Sequence, residues 1–362
     1  MQKIDLEGKT VLITGAAGFI GSFLTMRILR TERNVRVVGL DNLSAYYDVS
    51  IKEYRLKEIE KTAAGNDNGS SFVFIRGSIA ERETVREIFR KYDPAVVVNL
   101  AAQAGVRYSI DHPDEYIESN IVGFYEILEA CRHSAENGRK GVEHLVYASS
   151  SSVYGNDSPI PYRVEDPVEH PVSLYAATKK SDELLAHAYS KLYEIPSTGL
   201  RFFTVYGPAG RPDMAYFGFT DKLRRGEKIR IFNYGKCKRD FTYVDDVTDG
   251  VLRVMKGAPE RKTGENGLPV PPYAVYNIGN SEPVELPEFV RILSEELIRN
   301  GVLPEDFDLE ANEELVPMQP GDVETTFADT SALKRDYGFA PGTRLKEGIA
   351  RFAQWYREFY LG

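Results

Sequence analysis

Cysteine is nearly absent from these 362 residues, with Cys131 and Cys237 the only two. Two thiols cannot build a disulfide framework, and neither stands in a metal-ligand spacing, so a reducing compartment, the cytoplasm, is expected. Histidine is scarce too. His112, His133, His144, His170 and His187 form no spaced cluster, which argues against a bound metal. No apolar run approaches the ~18 residues that a membrane-crossing helix requires. The opening MQKIDLEGK has no apolar core and no cleavage-like site, so no secretory signal is expected. Basic residues are outnumbered, 45 against 54 acidic, for a net charge of −9. That balance argues against nucleic acid as a partner and leaves anionic small ligands to local arginines and helix ends.

What remains is the composition of an ordinary globular protein, 42% hydrophobic and 27% charged, long enough for two domains. The first half alternates strand-like and helix-like segments. Strands are expected at 11–14, 35–40, 72–75, 96–100, 144–148 and 197–203, short and apolar on both faces as buried parallel strands are. Helical patterns lie at 19–29, 80–91, 113–137 and 174–193. Residues 62–71 and 257–272 are polar and glycine-containing, and read as surface loops. Repeated βαβ units imply an α/β fold, a Rossmann-type doubly wound parallel sheet over residues 1–205. After Tyr206 the alternation breaks, so a smaller α/β substrate-binding domain is expected over 206–362, with 241–260 returning to the first.

The segment TVLITGAAGFIG, residues 10–21, runs a strand into Gly15, Gly18 and Gly21 and then into a helix. In that context the three glycines predict a dinucleotide site: a tight turn, a close backbone approach to a pyrophosphate, and close helix–strand packing. Phe19 and Ile20 open the helix whose free N–H groups face the phosphates. The second strand ends in Asp41, followed by Asn42; a carboxylate there accepts both ribose hydroxyls. No basic residue follows until Lys52, which favours NAD over NADP.

The fifth strand ends in LVYASSSSVYG, residues 145–155, at the sheet edge where ligands bind in such folds. Downstream, Tyr175 and Lys179 stand four apart and share a helix face. A free tyrosine titrates near pH ~10, too high for a base at neutral pH. An adjacent ammonium and a nicotinamide ring both favour the phenolate. Lys179 also reaches toward the nicotinamide ribose, and Ser150 is able to hydrogen-bond the same substrate oxygen as Tyr175.

Together GAAGFIG, ASSSSVYG and YAATK resemble the extended short-chain dehydrogenase/reductase superfamily, in its NAD-dependent nucleotide-sugar epimerase/dehydratase branch, over nearly the whole chain. The resemblance implies bound NAD that oxidises a sugar at C4 and is then restored. Tyr175 becomes the base, Lys179 its electrostatic partner and Ser150 an oxygen-positioning donor, with Ser149 and Ser152 ancillary. Asn120 and the strand end Leu100, Ala101 and Ala102 match cofactor-lining positions. Ile79 flanks the adenine, and Ser78 stands where an Asp is common. Ser151 and Ser152 occupy the places of the acid pair that dehydratases use, which leaves epimerisation.

Residues 198–217, TGLRFFTVYGPAGRPDMAYF, resemble UDP-glucuronate 4-epimerases, which interconvert UDP-glucuronate and UDP-galacturonate. The resemblance gives Thr204 and Arg211 to the sugar carboxylate, although Ala209 stands where a Trp is expected. It gives Arg239 to the diphosphate, Phe232 to uracil stacking, Gln319 and Asp322 to the uridine ribose, and Arg107 to the substrate. A UDP-glucose or UDP-N-acetylhexosamine 4-epimerase is the alternative within the branch, and a non-catalytic NAD-binding protein the alternative outside it. Helices 113–137 and 174–193 carry apolar faces suited to a homodimeric four-helix bundle.

Overall fold

The computed structural model describes residues 1–264, 267–318 and 323–362. Its centre is a parallel sheet of seven strands: β1 (Thr10–Thr14), β2 (Arg36–Asp41), β3 (Ser71–Arg76), β4 (Val96–Asn99), β5 (His144–Ser150), β6 (Ser197–Phe202) and β7 (Tyr273–Ile278), in the order β7-β6-β5-β4-β1-β2-β3. The central strands are largely apolar on both faces because the sheet is covered on both sides. Val11 and Ile13 point into one buried cluster and Leu12 into the other; Val96 and Val98 against Val97 repeat the split. Helices α1 (Phe19–Thr31), α2 (Val49–Ala64) and α6 (Val244–Met255) contribute to the first cluster. Helices α3 (Arg82–Tyr92), α4 (Gly123–Arg132) and α5 (Leu174–Tyr193) contribute to the second.

Three elements depart from the sequence expectation. Helix α2 runs to Ala64, into the stretch expected as a loop. Its inward face includes Lys52 and Arg55 beside Ile51 and Ile59, so the apolar period that marks a helix is interrupted. The helix expected over 113–137 runs from Pro113 to Arg132, passes through a π-helical segment Ile117–Val122 before α4, and stops short, with a separate 3₁₀ turn at Glu136–Gly138. Finally, β7 pairs with β6 in the large sheet although it lies far into the second half of the chain.

A second, smaller sheet begins at once after β6. Thr204–Tyr206, Lys238–Tyr243 and Pro283–Glu285 form a three-stranded sheet. Its middle strand leads directly into α6, which packs against α1 of the large sheet. The chain thus crosses between the two units several times, which brings both to the C-terminal edge of the large sheet.

Candidate active site

At that edge the strand order reverses between β1 and β4, so the loops after these strands part and open a cleft. Its volume is about 1220 Å³, and it runs from the glycine turn past Tyr175 to Phe232 and Arg239. Gly15 takes φ +70°, and a Cβ there would lie 2.8 Å from the Ala101 backbone nitrogen, where the two loops touch. At Gly21 a Cβ would come within 2.2 Å of the Gly15 carbonyl, which only glycine permits. Gly18 caps α1 without a side-chain hydrogen bond, leaving the first helical N–H groups for an anion. An added Cβ at Gly18 meets only Gly15, so the cleft side of the turn is open. These features fit a pyrophosphate.

Asp41 stands at the end of β2, buried. Its Oδ2 accepts from the Ala17 N–H (3.0 Å) and its Oδ1 from the Leu43 N–H (2.8 Å), which orients the carboxylate while leaving further lone pairs. Lys52 reaches back into this region. Its Nζ donates to the Ser44 carbonyl at 2.8 Å, and burial lowers its pKa although the Asp41 charge opposes the shift. Phe19, Ile20, Asn42, Ser78, Ile79, Leu100, Ala101 and Ala102 all line the cleft. Ser78 accepts the Ala80 N–H at 3.2 Å, a turn-forming role that an Asp also serves.

Asn120 does not face the cleft; it is buried inside the π-helical segment. Its Oδ1 accepts from the Gln103 N–H (2.8 Å), and its Nδ2 donates to Gln103 O (3.1 Å) and Thr178 Oγ1 (2.9 Å). It therefore ties the loop after β4 to α5, and only the neighbouring Glu118 and Ser119 reach the cleft. The wider turn of a π-helix makes this inward aim possible.

Helix α5 starts at a Ser173 cap, whose hydroxyl accepts the Ala176 N–H at 3.1 Å. Tyr175 is thus the second residue of a 20-residue helix, where the positive dipole end favours an anion. Its ring packs edge-on against Tyr116, with centroids 6.0 Å apart. One turn on, buried Lys179 donates to the Ala148 carbonyl and to Asp182 Oδ2, both at 3.0 Å. Burial pushes the Asp182 carboxyl up to about 6 against the pull of Lys179.

Alternation along β5 separates the serines. Ser150 faces the cleft side, and its Oγ accepts from Ser152 through both N–H (3.2 Å) and hydroxyl (2.9 Å). Ser149 points the other way and donates to Glu183 Oε1 at 2.7 Å, beside the buried Glu183–Arg201 ion pair.

Across from Tyr175 stand Thr204 and Arg211. The Arg211 guanidinium grips Asp213 along one edge, Nε to Oδ1 at 3.0 Å and Nη2 to Oδ2 at 2.5 Å. Burial works against the Asp213 charge, but Arg211 outweighs it and holds the carboxyl below its usual range. At the far end Arg107 lies over the Phe232 ring at 5.4 Å, and Arg239 donates to Lys238 O (2.9 Å) and Glu324 O (3.0 Å). Gln319 and Asp322 lie outside the described residues. Among the described residues no group of three or more His, Cys, Asp or Glu could hold a metal ion.

The sequence reading missed Tyr46, Arg55, Gln103, Asp182 and Asp213. Only Asp213 lies in a quoted motif, residues 198–217, and each gains its meaning from what the fold brings beside it.

Comparison with known proteins places this geometry. The family model described as NAD dependent epimerase/dehydratase family matches residues 11–279. A Staphylococcus aureus protein, CapI, is 46% identical over 356 residues, covering 97% of this chain and 99% of that protein. UDP-glucuronate 4-epimerase 4 of Arabidopsis thaliana is 42% identical over 362 residues, covering 98% of this chain and 77% of that protein. The structure of UDP-glucuronic acid 4-epimerase from Bacillus cereus with UDP-glucuronic acid and NAD superposes with a TM-score of 0.81. It is 30% identical and covers 97% of this chain and 100% of that one.

Proposed function

The chain belongs to the NAD dependent epimerase/dehydratase family, and on that premise we propose that it is a UDP-glucuronate 4-epimerase. It interconverts UDP-glucuronate and UDP-galacturonate through a transient 4-keto sugar, with NAD as its cofactor. What supports this reading most is one cleft with a glycine turn and Asp41 at one end, Tyr175 and Lys179 at its middle, and Arg211 opposite.

NAD, when bound, supplies reversible two-electron oxidation at C4 of the sugar. Tyr175, at the helix start and one turn before Lys179, takes the C4 hydroxyl proton and returns it. Ser150 donates to the C4 oxygen as it becomes a carbonyl. Thr204 and Arg211 receive the uronate carboxylate, which suits the planar fork of a guanidinium. Phe232, Arg107 and Arg239 take the nucleotide and diphosphate end.

The 4-keto intermediate is a β-keto acid and loses CO₂ when its carboxylate bond aligns with the carbonyl π system. Ser151 and Ser152 offer no acid–base pair for elimination, and Arg211 with Thr204 holds the carboxylate out of alignment while the ring turns over. Incubation with UDP-glucuronate and no added nicotinamide is expected to give UDP-galacturonate. No turnover, or release of a 4-keto-pentose from the unaltered protein, would discard the assignment. Arg211→Ala is expected to shift product toward CO₂ and the 4-keto-pentose; an unchanged partition would remove Arg211 from the carboxylate.

We propose also a homodimer through α4 and α5 with their preceding segments, which carry exposed Ile117, Val122, Tyr125, Leu184 and Leu192. The two free cysteines suit a cytoplasmic setting.

A further inference from the structure

The loop that carries Arg211 is fastened to the cofactor half of the chain at two points. Arg55, fully buried on α2, donates from Nε to Ala209 O (2.9 Å) and from Nη2 to Gly210 O (2.9 Å). Its Nη1 donates to Ala17 O in the glycine turn at 3.0 Å. The second point is Asp213. Beyond its two bonds from Arg211, its Oδ2 accepts the Tyr46 hydroxyl at 3.1 Å. Tyr46 comes from the loop after β2, and a Cβ on Gly105 would lie 2.6 Å from its hydroxyl, so Tyr46 is wedged across the cleft.

A carboxylate along the Nε–Nη2 edge stops the guanidinium from turning on its stem. Nη1 remains for a second carboxylate, since among the described residues nothing accepts from it. The two partners are two residues apart across Pro212, so the pair closes a very short loop at small entropic cost. Displacing Asp213 would also strip the Tyr46 hydroxyl of its acceptor. A substrate carboxylate is therefore better placed to join Arg211 than to replace Asp213. Resting on the assignment of Arg211 to the uronate, we propose that Asp213, held by Tyr46, is the positioning residue that fixes the plane of Arg211 and so selects a nucleotide sugar bearing a carboxylate.

Calorimetric titration of the NAD-loaded protein with UDP-glucuronate and with UDP-glucose tests this. The unaltered protein must prefer UDP-glucuronate; equal affinity overturns the assignment of Arg211, and this inference with it. Given that preference, Asp213→Asn is expected to weaken UDP-glucuronate about tenfold and UDP-glucose less than about twofold. Tyr46→Phe should show the same selectivity at about threefold. Equal weakening of both ligands, or none, overturns the inference. So does tighter binding of UDP-glucuronate, which would make Asp213 a competing carboxylate. Should Asp213→Asn fail to fold, Tyr46→Phe decides by the same criterion.

Discussion

Tyr175 stands one helical turn before Lys179, whose ammonium is held by the Ala148 carbonyl and by the buried Asp182 Oδ2, both at 3.0 Å. Tyr175→Phe is expected to lower kcat at least ~100-fold with UDP-sugar affinity kept within a few-fold, as measured by steady-state rates and titration. At this scale the sequence was legible where residues repeat a spacing: Tyr175 with Lys179, and the three glycines. It was silent on Asp182, Asp213 and Tyr46, single polar residues that in sequence look like any solvated side chain. It divided Ser150 from Ser149 only through the family resemblance, because the physical distinction depends on which way each side chain leaves β5.

At the scale of elements, the glycine turn and α1 work as one piece. Gly21 is the first-turn residue that lets the helix approach the Gly15 carbonyl, and a Cβ at 2.2 Å from that oxygen forces either the turn or the helix to move. Gly21→Ala should cost about 1–3 kcal/mol in denaturant unfolding and reduce the NAD retained on purification. Normal stability with full NAD content would contradict this account of the turn. Element boundaries were legible where the apolar period is regular, as in α5, expected and observed over the same residues, 174–193. They were hidden where a helix turns charge inward. Lys52 and Arg55 of α2 do so because the cleft and the Ala209–Gly210 loop supply carbonyl partners that no local pattern announces. The π-helical segment escaped for a similar reason, since the bonds that Asn120 makes there to Gln103 and Thr178 are not announced by any local pattern.

In the whole molecule α6 runs from the three-stranded sheet back onto the large one, and His144 lies where that helix ends. It lies on β5 in the middle of the large sheet, fully buried. Its Nε2 faces Thr198 Oγ1 on β6 at 2.8 Å, and its Nδ1 faces the Met255 carbonyl at the end of α6 at 3.4 Å. A carbonyl only accepts, so Nδ1 carries the hydrogen and Nε2 accepts from the threonine, which is the neutral ring. Burial lowers the His144 pKa from 6.5 to about 4. The folded state thus disfavours the proton that the unfolded chain takes up below pH ~6.5. The neutral ring's contribution to stability is complete above that pH and is lost as pH falls toward 4. Between pH 7 and 5 the loss amounts to about 2 kcal/mol. His144→Gln keeps a polar side chain but cannot titrate. Its urea midpoint, lower than that of the unaltered protein at pH 7, should fall less on going to pH 5. If both proteins lose stability in parallel, the acid sensitivity lies elsewhere and the neutral His144 ring is not what the fold protects.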